Sequence, residues 1–389
     1  MDFALSDEQL MIQESAAGFL AKASDSAAVR AAMERGGYSG ELWRQIAGEL
    51  CWPALIVPEQ HGGLALGFVE QAILLEQMGR RLLGSPFFAS ACLAIPALLL
   101  SRNAELQARL LPELASGSLT ATLACSAGSR AGHLLDQNVQ AVAEGDGWRL
   151  DGVCDAVVDG AEADLLIVAA RLTGTEGASI GLFAVPANGR GISREALPTL
   201  DQTRRLGRVV FGAVQVSADD CLHTDSDGAQ LLEQTLQLGA IALACEQTGS
   251  AQQCLDLTLA YLNERQQFGR SIASFQAIKH RCADLMLEIE SARSACYYAA
   301  CVAREALDPA GNPMIAGELR EASAIAKIHA SEAFMHCAEE SIQLHGGVGF
   351  TWEYDPHLYF KRARAGEQLL GTPAQHRERL AHLLLEQYA

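Results

Sequence analysis

A chain of 389 residues that is 49% hydrophobic can bury more than one core, so two or three packed subdomains are expected. Its 29 basic and 47 acidic side chains leave a net charge of −18, and no Lys/Arg-rich block interrupts the acidity, which argues against a nucleic-acid-binding face and for simple solubility. No apolar run reaches the ~18 residues of a membrane span, the first ten residues lack leader character, and the eleven cysteines form no CxxC pair, so a cytoplasmic protein with reduced thiols, no metal and no membrane contact is expected.

Residues 5–115 read as helical. Ser6 opens Ser-Asp-Glu-Gln, a capping-box pattern with Gln9 at the third helical position. Leu42, Ile46 and Leu50 form a helical stripe that Cys51-Trp52-Pro53 interrupts. Val69, Ala72, Ile73, Glu76 and Gln77 carry a second helix up to Gly79. The pattern changes near residue 118. Runs rich in Val, Ile and Leu at 119–125, 139–143, 148–153, 165–170, 180–185 and 209–216 are separated by Gly, Asp and Pro, as in Glu144-Gly145-Asp146-Gly147. They predict an antiparallel β domain of hairpins and short loops. Long helices return at 231–265, 276–306 and 318–344, followed by a C-terminal one, and together they predict a bundle. The expected class is α+β, mostly α: a helical domain over 1–117, a β domain over 118–225 and a helical bundle over 226–389.

Three strings carry chemistry. The first runs Tyr261-Leu-Asn-Glu-Arg265-Gln-Gln267-Phe268-Gly269-Arg270 and continues through Phe275-Gln276 to Ala283-Asp284 and Met286. Arg265 closes one helix and Gly269 permits a sharp turn before the next, so the arginine presents fixed donors suited to a diphosphate. The plainer alternative is a surface arginine beside Glu264. The second string is Gln343-Leu344-His345-Gly346-Gly347-Val348-Gly349-Phe350. Glycines there let backbone approach a cofactor, although Gly-Gly also commonly just ends a helix. The third is Val57-Pro58-Glu59-Gln60-His61-Gly62-Gly63.

Together these strings resemble the acyl-CoA dehydrogenase superfamily over essentially the whole chain. The resemblance implies a helical domain, a β-barrel-like domain and a C-terminal four-helix bundle. It implies FAD as cofactor, bound between two subunits, with its ADP half on Arg265, Gln267, Phe268, Phe275, Gln276, Gln343, Leu344, His345, Gly346 and Gly347. The reaction it implies is α,β-dehydrogenation of an acyl-CoA thioester: a glutamate removes the α-proton, the flavin takes the β-hydride, and an electron-transfer flavoprotein or similar acceptor follows.

Against that pattern the catalytic residues are missing. In Glu367-Gln368-Leu369-Leu370-Gly371-Thr372 the base position is Leu370, and the alternative base position on the first long C-terminal helix is Gly239. Leucine and glycine cannot accept a proton. Glu246 and Glu367 lie near enough in sequence to serve as a relocated base, but their ordinary roles would be pairing inside the bundle for Glu246 and solvation for Glu367. In the β domain Ser129 is kept as a substrate contact, whereas Leu123, Ala156 and Val158 replace the threonine, tryptophan and threonine that hold the flavin ring. The combination resembles the small chain of heteromeric α₂β₂ acyl-CoA dehydrogenases acting on ring-bearing thioesters, including those of steroid side chains; the segment 349–362 resembles it too. Three functions stay open: a subunit that completes a partner's FAD site, a self-associating enzyme with a relocated base, and a CoA- or FAD-binding homologue without turnover.

Overall fold

Ser6 begins the first helix with a reciprocal cap: its Oγ accepts from Gln9 N at 3.2 Å, and Gln9 Oε1 accepts from Ser6 N at 3.0 Å. This computed structural model describes residues 5–101, 103–126, 137–173, 179–223 and 228–387. Helix α1 (Asp7–Ala23) is followed by α2 (Ser26–Arg35), which ends on left-handed Gly36 at φ 65°. Helix α3 (Phe68–Arg80) is buried along most of its length, and residues 87–100 continue as a helical segment with a π turn at Ser90–Ala94. Helix α4 (Ala104–Ser116) closes the N-terminal layer on Gly117, φ 70°.

Seven strands follow: β1 Ala121–Ala124, β2 Gln140–Glu144, β3 Gly147–Val158, β4 Leu165–Thr173, β5 Ser179–Pro186, β6 Ile192–Ala196 and β7 Leu206–Ser217. They form one curled sheet in the order β1-β4-β2-β3-β7-β6, with β5 also paired to β4. The expectation of a purely antiparallel domain is corrected here, because β4 pairs in parallel with both β1 and β2. The apolar run at 165–170 has a physical reason to be central. Leu165, Ile167 and Ala169 face the helical core, whereas Leu166, Val168 and Ala170 face a second core inside the sheet. Parallel pairing belongs where both faces are covered. Strand β6 gave no signal in sequence, since it is a mostly exposed edge of alternating charge.

The C-terminal layer holds α5 (Gly228–Glu264), α6 (Gln276–Leu307), α7 (Leu319–His345), α8 (Pro356–Gln368) and α9 (Pro373–Gln387). Helix α5 is buried continuously from Leu238 to Ala251 because α3, α6 and α7 all pack against it. Two glycines set its approach to α3. A Cβ on Gly79 would lie 1.9 Å from Glu246 O, and one on Gly249 would lie 1.8 Å from Glu76 O. Backbone meets backbone at that crossing, and it positions Glu246 at the junction of the layers.

Candidate functional site

The first candidate site forms where α5 and α7 end side by side. Arg265 follows the last residue of α5, and its amide still bonds Tyr261 O at 2.9 Å. A tight hairpin, β8 (Gln266–Gln267) with β9 (Arg270–Ser271), turns on Phe268 at φ 55° and Gly269 at φ 76°. Two positive φ angles are the signature of a type I′ turn, which explains why glycine occupies the second position. Across from the hairpin, α7 ends at Gly346 with φ 66° and ψ −144°, a conformation essentially confined to glycine. A Cβ on Gly346 or Gly347 would meet nothing within 4 Å, so these glycines serve backbone shape and open space, not tight packing.

Between them lies a groove of about 990 Å³ that gathers Arg265, Gln267, Gln343, Leu344, His345, Gly346 and Gly347. Among the described residues the Arg265 side chain has no ion pair or hydrogen bond, so its donors are available to an anion. His345 Nδ1 bonds Ser341 O at 2.6 Å, which makes Nδ1 the protonated nitrogen; burial holds its pKa below the usual range, partly offset by that bond. Tyr261 stacks on the His345 ring with centroids 4.4 Å apart, and Tyr354 meets both edge-on. Phe268, Phe275 and Gln276 do not line the groove. Phe268 is 90% exposed on the hairpin tip, with Phe275 edge-on to it at 6.2 Å. Gln276 is exposed at the start of α6. Phe275 is half-buried, with the Arg270 guanidinium 4.0 Å over its ring.

The second candidate site is a cavity of about 270 Å³ between the sheet and the α8–α9 turn. Leu93, Leu123, Ala156, Val158, Leu206 and Leu370 make one part of its surface apolar, and Ser126, Asp155, Gln368, Thr372 and Gln375 line the rest. Leu370 sits at φ 59° and Gly371 at φ 100°, and His376 Nε2 lies 3.0 Å from Leu370 O. Burial pushes the His376 pKa down to about 4, so the ring is neutral and its Nε2–H donates to that carbonyl. A Cβ built on Gly239 would lie 3.2 Å from Leu370 Cδ1. The two positions identified in sequence as alternative base positions therefore meet at one point in space, although 131 residues of chain separate them (370 − 239). The carboxylate that does line this cavity, Asp155, is ion-paired to Arg208 at 2.8 Å.

Glu246 is buried and doubly clamped: Arg204 holds one oxygen at 2.5 Å and Arg362 the other at 2.8 Å. Burial alone would raise its pKa, but the two guanidinium groups outweigh burial and hold it below the usual carboxylate range. Arg362 also reaches Asp201 at 3.3 Å and Thr203 Oγ1 at 3.0 Å. Glu367 pairs with Arg364 one turn earlier at 2.5 Å and does not line the second cavity. Ser129 lies outside the described residues.

Sequence reasoning missed Lys327. It is fully buried, with Nζ donating to Ser331 Oγ at 2.8 Å and to the carbonyl of Gly366 at 3.0 Å, and lying 3.4 Å from that of Glu367. It thereby ties down the end of α8, two residues before the turn that carries Leu370. The available signal was a lysine amid the small and apolar residues of Ala-Ile-Ala-Lys-Ile.

Residues 6–118 match the acyl-CoA dehydrogenase N-terminal domain and residues 226–385 the acyl-CoA dehydrogenase C-terminal domain. Acyl-CoA dehydrogenase IpdE2 of Mycolicibacterium smegmatis is 33% identical over 97% of this chain and 98% of its own length. IpdE2 of Mycobacterium tuberculosis is 35% identical over 96% of each. Among solved structures, a Tcur3481–Tcur3483 steroid ACAD variant superposes with a TM-score of 0.84 at 30% identity, covering 98% of this chain and 99% of that one. A chain of the ChsE4–ChsE5 complex from Mycobacterium tuberculosis gives a TM-score of 0.87 at 27% identity, with 99% of each covered.

Proposed function

Because the chain belongs to the acyl-CoA dehydrogenase family, we propose that it is one subunit of a heteromeric, FAD-dependent enzyme that α,β-dehydrogenates acyl-CoA thioesters. On this reading it completes the ADP half of a FAD site, and a second acyl-CoA dehydrogenase-like chain supplies the catalytic glutamate. The observation that carries the proposal is the contrast between the two sites. The groove fits an adenosine diphosphate moiety, with an unpaired arginine, a glycine-only backbone bend and open volume beside it. The second cavity lacks the groups of the working end at the positions that should carry them: Leu123, Ala156 and Val158 offer no side-chain donor to a flavin ring, and Leu370 and Gly239 leave both base positions without a carboxylate. FAD, when bound, supplies the hydride acceptor; this chain's part is to hold the diphosphate and to shape the neighbouring subunit's site.

The relatives are consistent with such an arrangement, since one of the solved structures is the ChsE4–ChsE5 complex and another is described as a Tcur3481–Tcur3483 steroid ACAD. A bulky, ring-bearing thioester is the substrate class we assign, with an electron-transfer flavoprotein or similar acceptor downstream. A relocated base finds less support. The Glu246 carboxylate is neutralised by two arginines, and Glu367 faces Arg364.

The test is purification of the chain alone and with a co-expressed second dehydrogenase chain, recording flavin per protomer, mass and turnover of acyl-CoA substrates. Stable flavin and turnover are expected only for the pair, and turnover of the pair should survive Glu367→Gln in this chain. Turnover by the isolated chain, abolished by Glu367→Gln, would instead establish a relocated base.

A further inference from the structure

A third space lies apart from both sites, enclosed by α2, the end of α3, the start of the 87–100 segment and the turn after β3. Its volume is about 340 Å³, at the small end of the ~300–1,000 Å³ typical of small-molecule pockets. Val29, Met33, Leu75, Met78, Phe87 and Phe88 make its walls apolar. Tyr38, Asp159, Arg204, Arg205, Glu246 and Arg362 form its polar end.

Most of those charges are answered within the chain. Glu246 is held by Arg204 and Arg362, and Arg204 also lies over the Phe88 ring at 4.4 Å. Arg205 pairs with Glu162 at 3.1 Å and covers the Tyr38 ring at 4.5 Å. Two groups are exceptions: Arg204 Nη1, buried without a hydrogen-bond partner among the described residues, and the Asp159 carboxyl. Asp159 is 6% exposed, yet its carboxyl makes no hydrogen bond or ion pair among the described residues. Its backbone is fixed: the amide bonds Arg205 O at 3.0 Å, and the carbonyl accepts from Glu162 N and Ala163 N. Burial pushes the carboxyl up to about 7, against the opposing pull of Arg205. A buried, unanswered carboxyl beside an apolar cavity is an unfavourable arrangement that a ligand can relieve. The Tyr38 hydroxyl on the same wall has no hydrogen bond among the described residues either.

We propose that this cavity binds an uncharged, apolar molecule bearing a hydroxyl group, with that hydroxyl bonded to Asp159. Charge selects the class. An ammonium would face Arg204, Arg205 and Arg362, whereas a carboxylate would face Asp159 and Glu246. A hydroxyl donates to ionised Asp159, accepts from the protonated form, and can also accept from Tyr38. The apolar walls then take up a ring or chain.

Val158 lines both this cavity and the one containing Leu370, so the molecule is either a free alcohol or the hydroxylated distal end of an acyl group. Only the second source rests on the proposed function. The probes are hydroxydecalin against decalin, and ω-hydroxyoctanoyl-CoA against octanoyl-CoA, titrated calorimetrically into the full chain. We expect at least a tenfold preference for the hydroxylated member of one pair. Asp159→Gly, which deletes the carboxyl at a φ of 52° that glycine accepts freely, should abolish that preference. Asp159→Asn should retain most of it. Ala32→Trp, which fills the cavity from α2, should abolish binding in that pair altogether. A preference confined to hydroxydecalin assigns the site to a separate ligand, and one confined to or shared by the thioesters assigns it to the acyl end. Absence of any hydroxyl preference in the unmodified chain, or a preference that survives both Asp159→Gly and Ala32→Trp in folded protein, overturns the proposal.

Discussion

At the scale of single residues the decisive question is which charges are already answered. Arg265 is unanswered and Glu246 is not, so their substitutions should have opposite signatures. In the assembled protein Arg265→Ala should lower retained flavin tenfold or more, because a charge-assisted bond to a diphosphate is worth on the order of 1.5–3 kcal/mol. Leu370→Ala should leave flavin retention nearly unchanged. Equal flavin absorbance per protomer in the two variants would place the cofactor elsewhere. Glu246→Gln leaves Arg204 and Arg362 buried without their anion, and a loss of about 3–5 kcal/mol in urea unfolding is expected. A neutral result would mean that water or a rearranged Asp201 compensates. Lys327 makes a prediction in pH. Burial drops its pKa from 10.5 to about 7. Between those values the unfolded chain carries the extra proton, so this residue makes stability rise with pH, by at most ~1.4 kcal/mol per unit. Below about 7 the burial penalty is present in full. Lys327→Met should therefore flatten the stability curve between pH 7 and 10.5, and parallel Tm curves for the two proteins would refute the assignment.

At the scale of elements the contact between α3 and α5 shows why helix propensity is a poor guide on its own. Gly249→Ala improves propensity by ~1 kcal/mol in an isolated helix. In this protein the new Cβ would stand 1.8 Å from Glu76 O, so the helices must separate. A net loss of about 1–3 kcal/mol in chemical denaturation is expected, and a stabilised variant would show that the crossing is looser than described. The strands teach a related lesson. The run at 165–170 was legible as a strand, but its parallel pairing with β1 and β2 was not. Alternation and turn residues report local hairpins, and the partner of a central strand is fixed by which layers cover its two faces.

At the scale of the whole molecule, the unsatisfied surfaces point to assembly. Phe268, Leu287, Met314, Phe350 and Trp352 are each more than 60% exposed, and Phe268 crowns the hairpin that leads out of the groove. Hydrophobic side chains of that size on α6, on the connection that follows it and near the groove are what a subunit interface would cover. Light scattering should therefore give a dimer or larger assembly at micromolar concentration, and a four-chain mass when a second dehydrogenase chain is co-expressed. A stable monomer in both preparations would contradict the interface and, with it, the sharing of a cofactor between chains.

The α, then β, then α order, the capping of α1, the long helices and the strings that close around the groove are all legible in the sequence, because each depends on residues adjacent in the chain. Arg265 with Gly269, and His345 with Gly346, announce their turns locally. Contacts between residues far apart in the chain needed the folded molecule. Leu370 and Gly239 meet because α5 passes next to the α8–α9 turn. Glu246 is neutralised by Arg204 from the segment before β7 and Arg362 from α8. Asp159 lies unpaired among the described residues, where α2 faces the end of β3. A charge's chemistry follows from its neighbours and its distance from water, and periodicity along the chain carries neither.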